Sequence, residues 1–232
     1  MSWLTHALLE AAGVAHGFGT RACREPEGLV RARQVHGARV VVLTRDAAPP
    51  ADPGAADALV SERPALPIGV VTADCVPILV ATPAGRVAAV HAGWRGLAAG
   101  VIEAALAELA ALEPEAPARA VAVIGPRIGP ECYEVDAPVM DALAARHGEA
   151  LDRAAAPTRA GHWQLDLAAL ARAALVRAGL ADTRVAVLAD ACTACNAQRF
   201  HSHRRDGAGA GRLVHWIAAR APAPDCRPRL RP

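Results

Sequence analysis

Short runs of Val, Ile, Leu and Ala, bounded by Gly, Pro or Asp, recur through the first half of the chain. Arg39–Leu43, Ala58–Ser61, Ile68–Thr72, Pro77–Ala81 and Val87–Val90 have the length and β-branched content of strands. The period then changes. Ile102, Ala105, Leu106, Leu109 and Leu112 fall near helical spacing, which predicts a helix over Leu97–Leu112 that Pro114 brings to an end. A strand at Ala120–Ile124 runs into the turn-rich residues Gly125 to Pro130. A short strand at Tyr133–Val135, helices over Pro138–Arg146 and Leu165–Arg177, and a strand at Arg184–Leu188 follow. Next comes a polar loop from Asp190 to Gly211, and Pro222, Pro224, Pro228 and Pro232 mark a tail, expected to be disordered, over residues 221–232. Strands dominate the first half and helices are interspersed later, so the expected class is α+β or mixed α/β.

No Gly/Ser linker, repeat or charge run divides the chain, so one domain over residues 1–220 is expected. Hydrophobic residues make up 53% of the sequence, enough for a packed core. A net charge of +2 gives no electrostatic reason to expect nucleic acid or an anionic membrane as partner. All 25 basic residues are arginine. The lack of lysine excludes a P-loop, a Schiff-base enzyme and a protein kinase, each of which requires one. Ser2, Ser61 and Ser202 are the only serines and none stands in Gly-x-Ser-x-Gly, which excludes a serine-hydrolase elbow. There is no signal-peptide pattern and no apolar run of about 18 residues. The 6 cysteines without regular spacing point to free thiols in a reducing compartment, with cytoplasm expected.

His36, Cys75 and His91 stand in glycine-flanked turns or at the ends of apolar runs. Two imidazoles and a thiolate leave one position of a tetrahedral metal free, as catalytic zinc sites do. Spacing alone leaves a metal site and three packed core residues as open readings. Asp74 adjoins Cys75 but points the opposite way if the stretch is extended. It serves as a partner to a ligand, as an acid/base group, or as a cap. Cys192 and Cys195 form half of a zinc ribbon, yet Cys132 stands alone upstream and Cys226 alone in the tail, so no structural zinc is expected there. His201 and His203 share a side of an extended segment, lining a polar pocket or a solvated loop.

The succession Gln34-Val35-His36-Gly37, Ala73-Asp74-Cys75-Val76-Pro77, His91-Ala92-Gly93-Trp94-Arg95-Gly96 and Ile124-Gly125-Pro126 resembles one family. So do Cys132-Tyr133-Glu134-Val135, Cys192-Thr193, Phe200 and Arg204-Arg205-Asp206-Gly207. It is the YfiH-type polyphenol oxidase/laccase-domain family, also called peptidoglycan-editing factor and described as zinc-dependent purine nucleoside phosphorylase. The resemblance spans residues 14 to about 217. It implies a sandwich of mixed β-sheets flanked by helices, and a metal held by His36, Cys75 and His91. It further implies phosphorolysis of adenosine, inosine, guanosine or methylthioadenosine, and deamination of adenosine. Gln34, Cys132 and Arg205 are then the expected substrate-binding residues. The sequence departs from the family in two places. A block between Arg21 and Gln34 is missing, and His201-Ser202-His203 replaces an aromatic motif.

Under that resemblance the cofactor is Zn²⁺, with copper as an alternative occupant, and the partners are a purine nucleoside and phosphate. Zinc lowers the pKa of its water from about 15.7 toward about 7, which suits attack on adenine C6. Asp74 is the first candidate for the proton transfer and Asp57 the second. With no lysine, Arg95 and Arg205 are the candidates for phosphate. Three rivals remain. A copper oxidase needs an axial Met, but Met1 and Met140 lie away from the motifs, and a multicopper enzyme needs more than one H-x-H. A Cys–His hydrolase would use Cys75 as nucleophile and His91 as base, acting on a cell-wall precursor. A zinc-stabilised scaffold is the non-enzymatic reading.

Overall fold

A computed structural model describes residues 3–220, so the expected tail from Ala221 falls outside the described residues. In chain order its first elements are α1 (Ala7–Ala11), β1 (Ala15–Phe18), β2 (Val40–Leu43), β3 (Ala58–Ser61), β4 (Pro67–Thr72), β5 (Val76–Ala81) and β6 (Val87–Ala92). Then come α2 (Trp94–Ala99), α3 (Val101–Leu112), α4 (Ala116–Arg119), β7 (Val121–Ile124), β8 (Glu134–Asp136), α5 (Ala137–His147) and α6 (Glu149–Ala154). The last are β9 (Ala155–Pro157), β10 (His162–Leu165), α7 (Leu167–Arg177), β11 (Val185–Val187), α8 (His203–Asp206) and β12 (Leu213–Ala218).

The period of two along the strands sorts the core into two layers. A 6-stranded sheet, ordered β11-β7-β5-β6-β3-β2, forms the middle of the molecule. One set of its side chains (Ala58, Val60, Ile78, Val80, Ala88, Val90) meets Ile102, Leu106 and Leu109 of α3 and Leu170, Ala171 and Ala174 of α7. The alternate set (Leu59, Leu79, Ala81, Val87, Ala89) meets Ile68, Val70, Ile217 and Phe18 of a second sheet, ordered β1-β12-β4. Because both faces are covered, β5 and β6 are buried throughout and read as unbroken apolar runs. Truncating one of these large side chains to Ala costs about 2–5 kcal/mol. A small antiparallel sheet, β8-β10-β9, adds Val135 and Leu165 to the helix-covered side of this core. The mixed sheets flanked by helices match the expected sandwich.

The structure differs from the expected elements at identifiable points. The helix expected over Leu97–Leu112 breaks at Gly100, whose φ of 86° ends α2 and starts α3. A Cβ there would sit 2.7 Å from the Arg146 guanidinium, which hydrogen-bonds the carbonyls of Ala98 and Ala99 at the end of α2. The helix expected from Leu165 starts at Leu167, because the Asp166 carboxylate accepts from the Ala168 and Ala169 N–H groups as its N-cap. Residues His162–Leu165 are a strand instead. The polar loop from Asp190 contains the single turn α8, capped by the Ser202 hydroxyl. Among the described residues no helix is long and apolar enough to cross a membrane.

Candidate metal centre and cavity

Three chain reversals bring His36, Cys75 and His91 together. Cys75 closes the turn between β4 and β5, and His91 is next to last in β6, in register with Pro77. His36 lies in the long connection before β2, in the left-handed region at φ 60°. Their donor atoms all lie within 4.8 Å of one another, and Cys75 Sγ is 3.9 Å from His36 Nε2. The glycine of His-Ala-Gly-Trp-Arg-Gly has a steric reason. A Cβ on Gly93 would meet Cys75 Sγ at 2.8 Å and His36 Cδ2 at 3.3 Å.

Asp57, 1% exposed at the start of β3, organises this group. Its carboxylate accepts from the backbone N–H of His36 at 2.8 Å, of Gly37 at 2.7 Å and of Val35 at 3.2 Å. These three bonds hold His36 in a conformation that otherwise costs about 1–3 kcal/mol. The same carboxylate accepts from His91 Nδ1 at 2.8 Å. A carboxylate only accepts, so Nδ1 carries the proton and the Nε2 lone pair is left for a metal. Burial works against the His91 charge. The Asp57 bond and the Cys75 sulfur outweigh it and raise the imidazole to about 9. Burial also works against the Cys75 thiolate, but hydrogen bonds to His36 and His91 bring it down to about 6. Without metal, Cys75 and His91 are therefore a thiolate–imidazolium pair at neutral pH. A deprotonated sulfur and oriented imidazoles are what a divalent ion requires, so the donor set fits a metal with one side open.

That side faces a cavity of about 670 Å³. Trp94 and Tyr133 line it, each with an arginine stacked on its ring: Arg95 lies 4.2 Å from the Trp94 centroid and Arg204 4.9 Å from that of Tyr133. Arg31, Arg33 and Arg212 complete a cationic wall, with His203 beside them. Thr72 lines the cavity from β4, and its hydroxyl pairs with Nε2 of the buried His215 at 2.9 Å. Burial drives His215 down to about 3, so this histidine stays neutral.

Residues 14–220 match the family described as multi-copper polyphenol oxidoreductase laccase. The chain belongs to this family. A purine nucleoside phosphorylase of Xylella fastidiosa (strain Temecula1 / ATCC 700964) is 41% identical over 190 residues, covering 80% of this chain and 70% of that protein. An adenosine deaminase, RL5, of an unknown prokaryotic organism is 37% identical over 199 residues, covering 82% and 75%. The crystal structure of the Bacillus licheniformis hypothetical protein YfiH superposes with a TM-score of 0.81 at 29% identity, covering 91% of this chain and 94% of that one.

Within this laccase-domain chain, the residues singled out from sequence take different places. Gln34 lines the cavity, but both ends of its amide are bound to the Val71 backbone, at 2.8 and 2.7 Å, where it extends the edge of β4. Asp74, at φ 93° and 8% exposed, accepts from the Thr193 hydroxyl at 2.5 Å and from the Arg204 N–H at 2.6 Å. It ties the first turn of α8 to the loop that carries Cys75. Arg95 projects from the start of α2 into the cavity. Arg205 is directed elsewhere. Its guanidinium is held by the Asp206 carboxylate and by the carbonyls of Thr193, Ala194 and Phe200, and it is not among the residues that line the cavity. Cys132 also lies away from the cavity lining, with its sulfur 3.2 Å from that of Cys195. The two histidines of His201-Ser202-His203 diverge because α8 begins between them. His203 enters the cavity, whereas His201 lies against Gly211.

Sequence reasoning missed Arg31, Arg33 and Arg212, and named Arg204 within its motif while choosing Arg205 for the site. Arg31-x-Arg33 carries a usable signal, since alternate residues of an extended segment share a side.

Proposed function

We propose that this protein is a zinc-dependent purine nucleoside phosphorylase that also deaminates adenosine. The reading is carried by the open His36–Cys75–His91 set facing an arginine- and aromatic-lined cavity, in a family whose relatives bear both names. Two imidazoles and a thiolate suit zinc, with copper as the alternative occupant. Laccase chemistry is disfavoured on two grounds. Met140, the only methionine among the described residues, packs against the helical core, and the His201/His203 pair diverges. Zinc, when bound, supplies Lewis acidity and an activated water at neutral pH.

The chain's own residues do the rest. Arg95 and Arg204, in place of Arg205, hold phosphate near ribose C1′, and Arg31, Arg33 and Arg212 draw the anion in. Trp94 and Tyr133 present aromatic surface to the purine. The His203 ring has no hydrogen-bond partner among the described residues, so it is placed to carry the proton to the departing purine or ammonia. Asp57 and Asp74 act as positioning residues, because their oxygens are already committed to N–H and O–H donors. Adenosine, inosine, guanosine and methylthioadenosine are the candidate nucleosides. The reading takes the cytoplasm as the compartment, and cysteines such as Cys75, Cys132, Cys192 and Cys195 outside any disulfide support it.

The test is to purify the protein, measure bound metal, and assay adenosine with and without phosphate, before and after chelation. Adenine with phosphate and inosine without it are expected, both lost on chelation and restored by zinc. The thiolate–imidazolium pair favours one second reading, a Cys75–His91 hydrolase acting in peptidoglycan-precursor editing. Turnover that survives chelation but stops on thiol alkylation would select it over the zinc enzyme.

A further inference from the structure

Next to Tyr133 in the chain, and outside the cavity lining, two loops meet. The connection between β7 and β8 brings Glu131 and Cys132, and the segment after β11 brings Cys192 and Cys195. Their donor atoms all lie within 4.8 Å of one another. Cys132 Sγ and Cys195 Sγ are 3.2 Å apart although separated by 63 residues, and Cys195 Sγ is 3.5 Å from Glu131 Oε1. A zinc–sulfur bond of about 2.3 Å gives a tetrahedral sulfur–sulfur edge of about 3.8 Å. An ion therefore enters with donor separations changing by about an ångström or less. The Cys192 sulfur already accepts from the N–H groups of Gly129 at 3.2 Å and Cys195 at 3.4 Å. Such bonds fix where its remaining lone pairs point. Arg127 stands beside it, bridged to Cys192 through the backbone, with its buried Nε without a partner. It supplies a cation next to a donor set that holds more negative charge than a divalent ion neutralises.

We propose that Glu131, Cys132, Cys192 and Cys195 form a second, structural zinc site that fastens the loop after β11 to the connection before β8. Three soft thiolates select zinc over magnesium or calcium. Four protein ligands close the coordination shell, leaving no position for substrate. The staple holds a wall of the main cavity. Tyr133 follows Cys132 directly, Thr193 lies between the two loop cysteines and binds Asp74, and Arg204 reaches back to the Cys132 and Glu134 carbonyls.

The test is a metal count on the full chain, purified under reducing conditions and loaded with zinc or cobalt. The wild type is expected to hold two ions per chain, His91→Ala one, and Cys132→Ser/Cys195→Ser one. Cobalt in His91→Ala keeps the strong thiolate charge-transfer absorption of a multi-thiolate site, and the double variant keeps only the weak band of one thiolate. In the wild type, zinc shields Cys132, Cys192 and Cys195 from alkylation and chelation exposes them, which needs no variant to fold. Glu131→Gln weakens the second ion by about tenfold or more and leaves the first unchanged. One ion per wild-type chain overturns the proposal. So do two ions in the double variant, or a Cys132–Cys195 disulfide whose reduced form takes up no metal.

Discussion

His36, Cys75 and His91 are gathered at one end of the strands of the central sheet, whereas Glu131, Cys132, Cys192 and Cys195 are gathered by two loops. In the first group the ligands have their own supports. Asp57 holds the His36 turn and the His91 ring, and the missing side chain of Gly93 leaves room for the Cys75 sulfur. In the second group the supports are backbone N–H groups donating to the Cys192 sulfur and the Arg127 cation beside it. The first can keep its shape with an open coordination position; in the second, the proposed ion adds to backbone hydrogen bonds that already join the loops. Rigid placement by strands suits chemistry, and closure by a metal suits stapling.

The largest expected effect comes from removing a ligand of the first group. In His91→Ala, kcat/KM for adenosine falls by roughly 10³-fold, about 4 kcal/mol of transition-state stabilisation, while the loop cluster keeps its ion. Assay and metal analysis on the same sample read both quantities. If both ions are lost, the two groups are not independent. Asp57→Asn keeps the shape but removes the anion, so metal affinity at the first site is expected to fall by about 10–100-fold, measured by competition with a chromogenic chelator. An unchanged affinity would remove Asp57 from the account of that site. Gly93→Ala places a methyl against the Cys75 sulfur and is expected to cost about tenfold in turnover, with no change in the loop cluster's metal.

The smallest effect is a contrast in thiol titration in the metal-free protein. The Cys75 thiol is lowered to about 6, so its thiolate fraction and its alkylation rate climb as pH rises through that value. Cys195 is pushed up by its contacts with the Cys132 and Cys192 sulfurs and by burial, so at the same pH it remains a thiol. Mass-spectrometric labelling from pH 5 to 9 should modify Cys75 first. Simultaneous labelling of both would show that the Asp57–His91–Cys75 arrangement does not hold without metal.

The strands β3, β5, β6, β7 and β11 were legible because the sheet is covered on both faces, leaving unbroken apolar runs. β1 and β12 were not. His16-Gly17-Phe18 and Leu213-Val214-His215-Trp216 mix apolar and polar residues, and their pairing with each other spans nearly the whole chain. The metal ligands were legible through their flanking motifs. Choosing between Arg204 and Arg205 was beyond the sequence, since it depends on Ser202 starting a helical turn that sends neighbouring side chains in different directions. The gathering of Cys132 onto Cys192 and Cys195 was equally hidden, because nothing local to either segment announces the other.

The order of synthesis has a bearing on when this protein becomes active. β12 is the last strand described, yet it is the middle strand of its sheet, pairing on one side with β1 and on the other with β4. Until it emerges, β1 and β4 lack the strand that joins them into a sheet, and the apolar face of the central sheet that carries Leu79 and Ala89 is incompletely covered. His36, Cys75 and His91 leave the ribosome well before that point. A growing chain thus holds all three ligands before it has a finished cavity. The side that receives Arg204, through its bond to Asp74 across 130 residues, closes only after the α8 segment has been made.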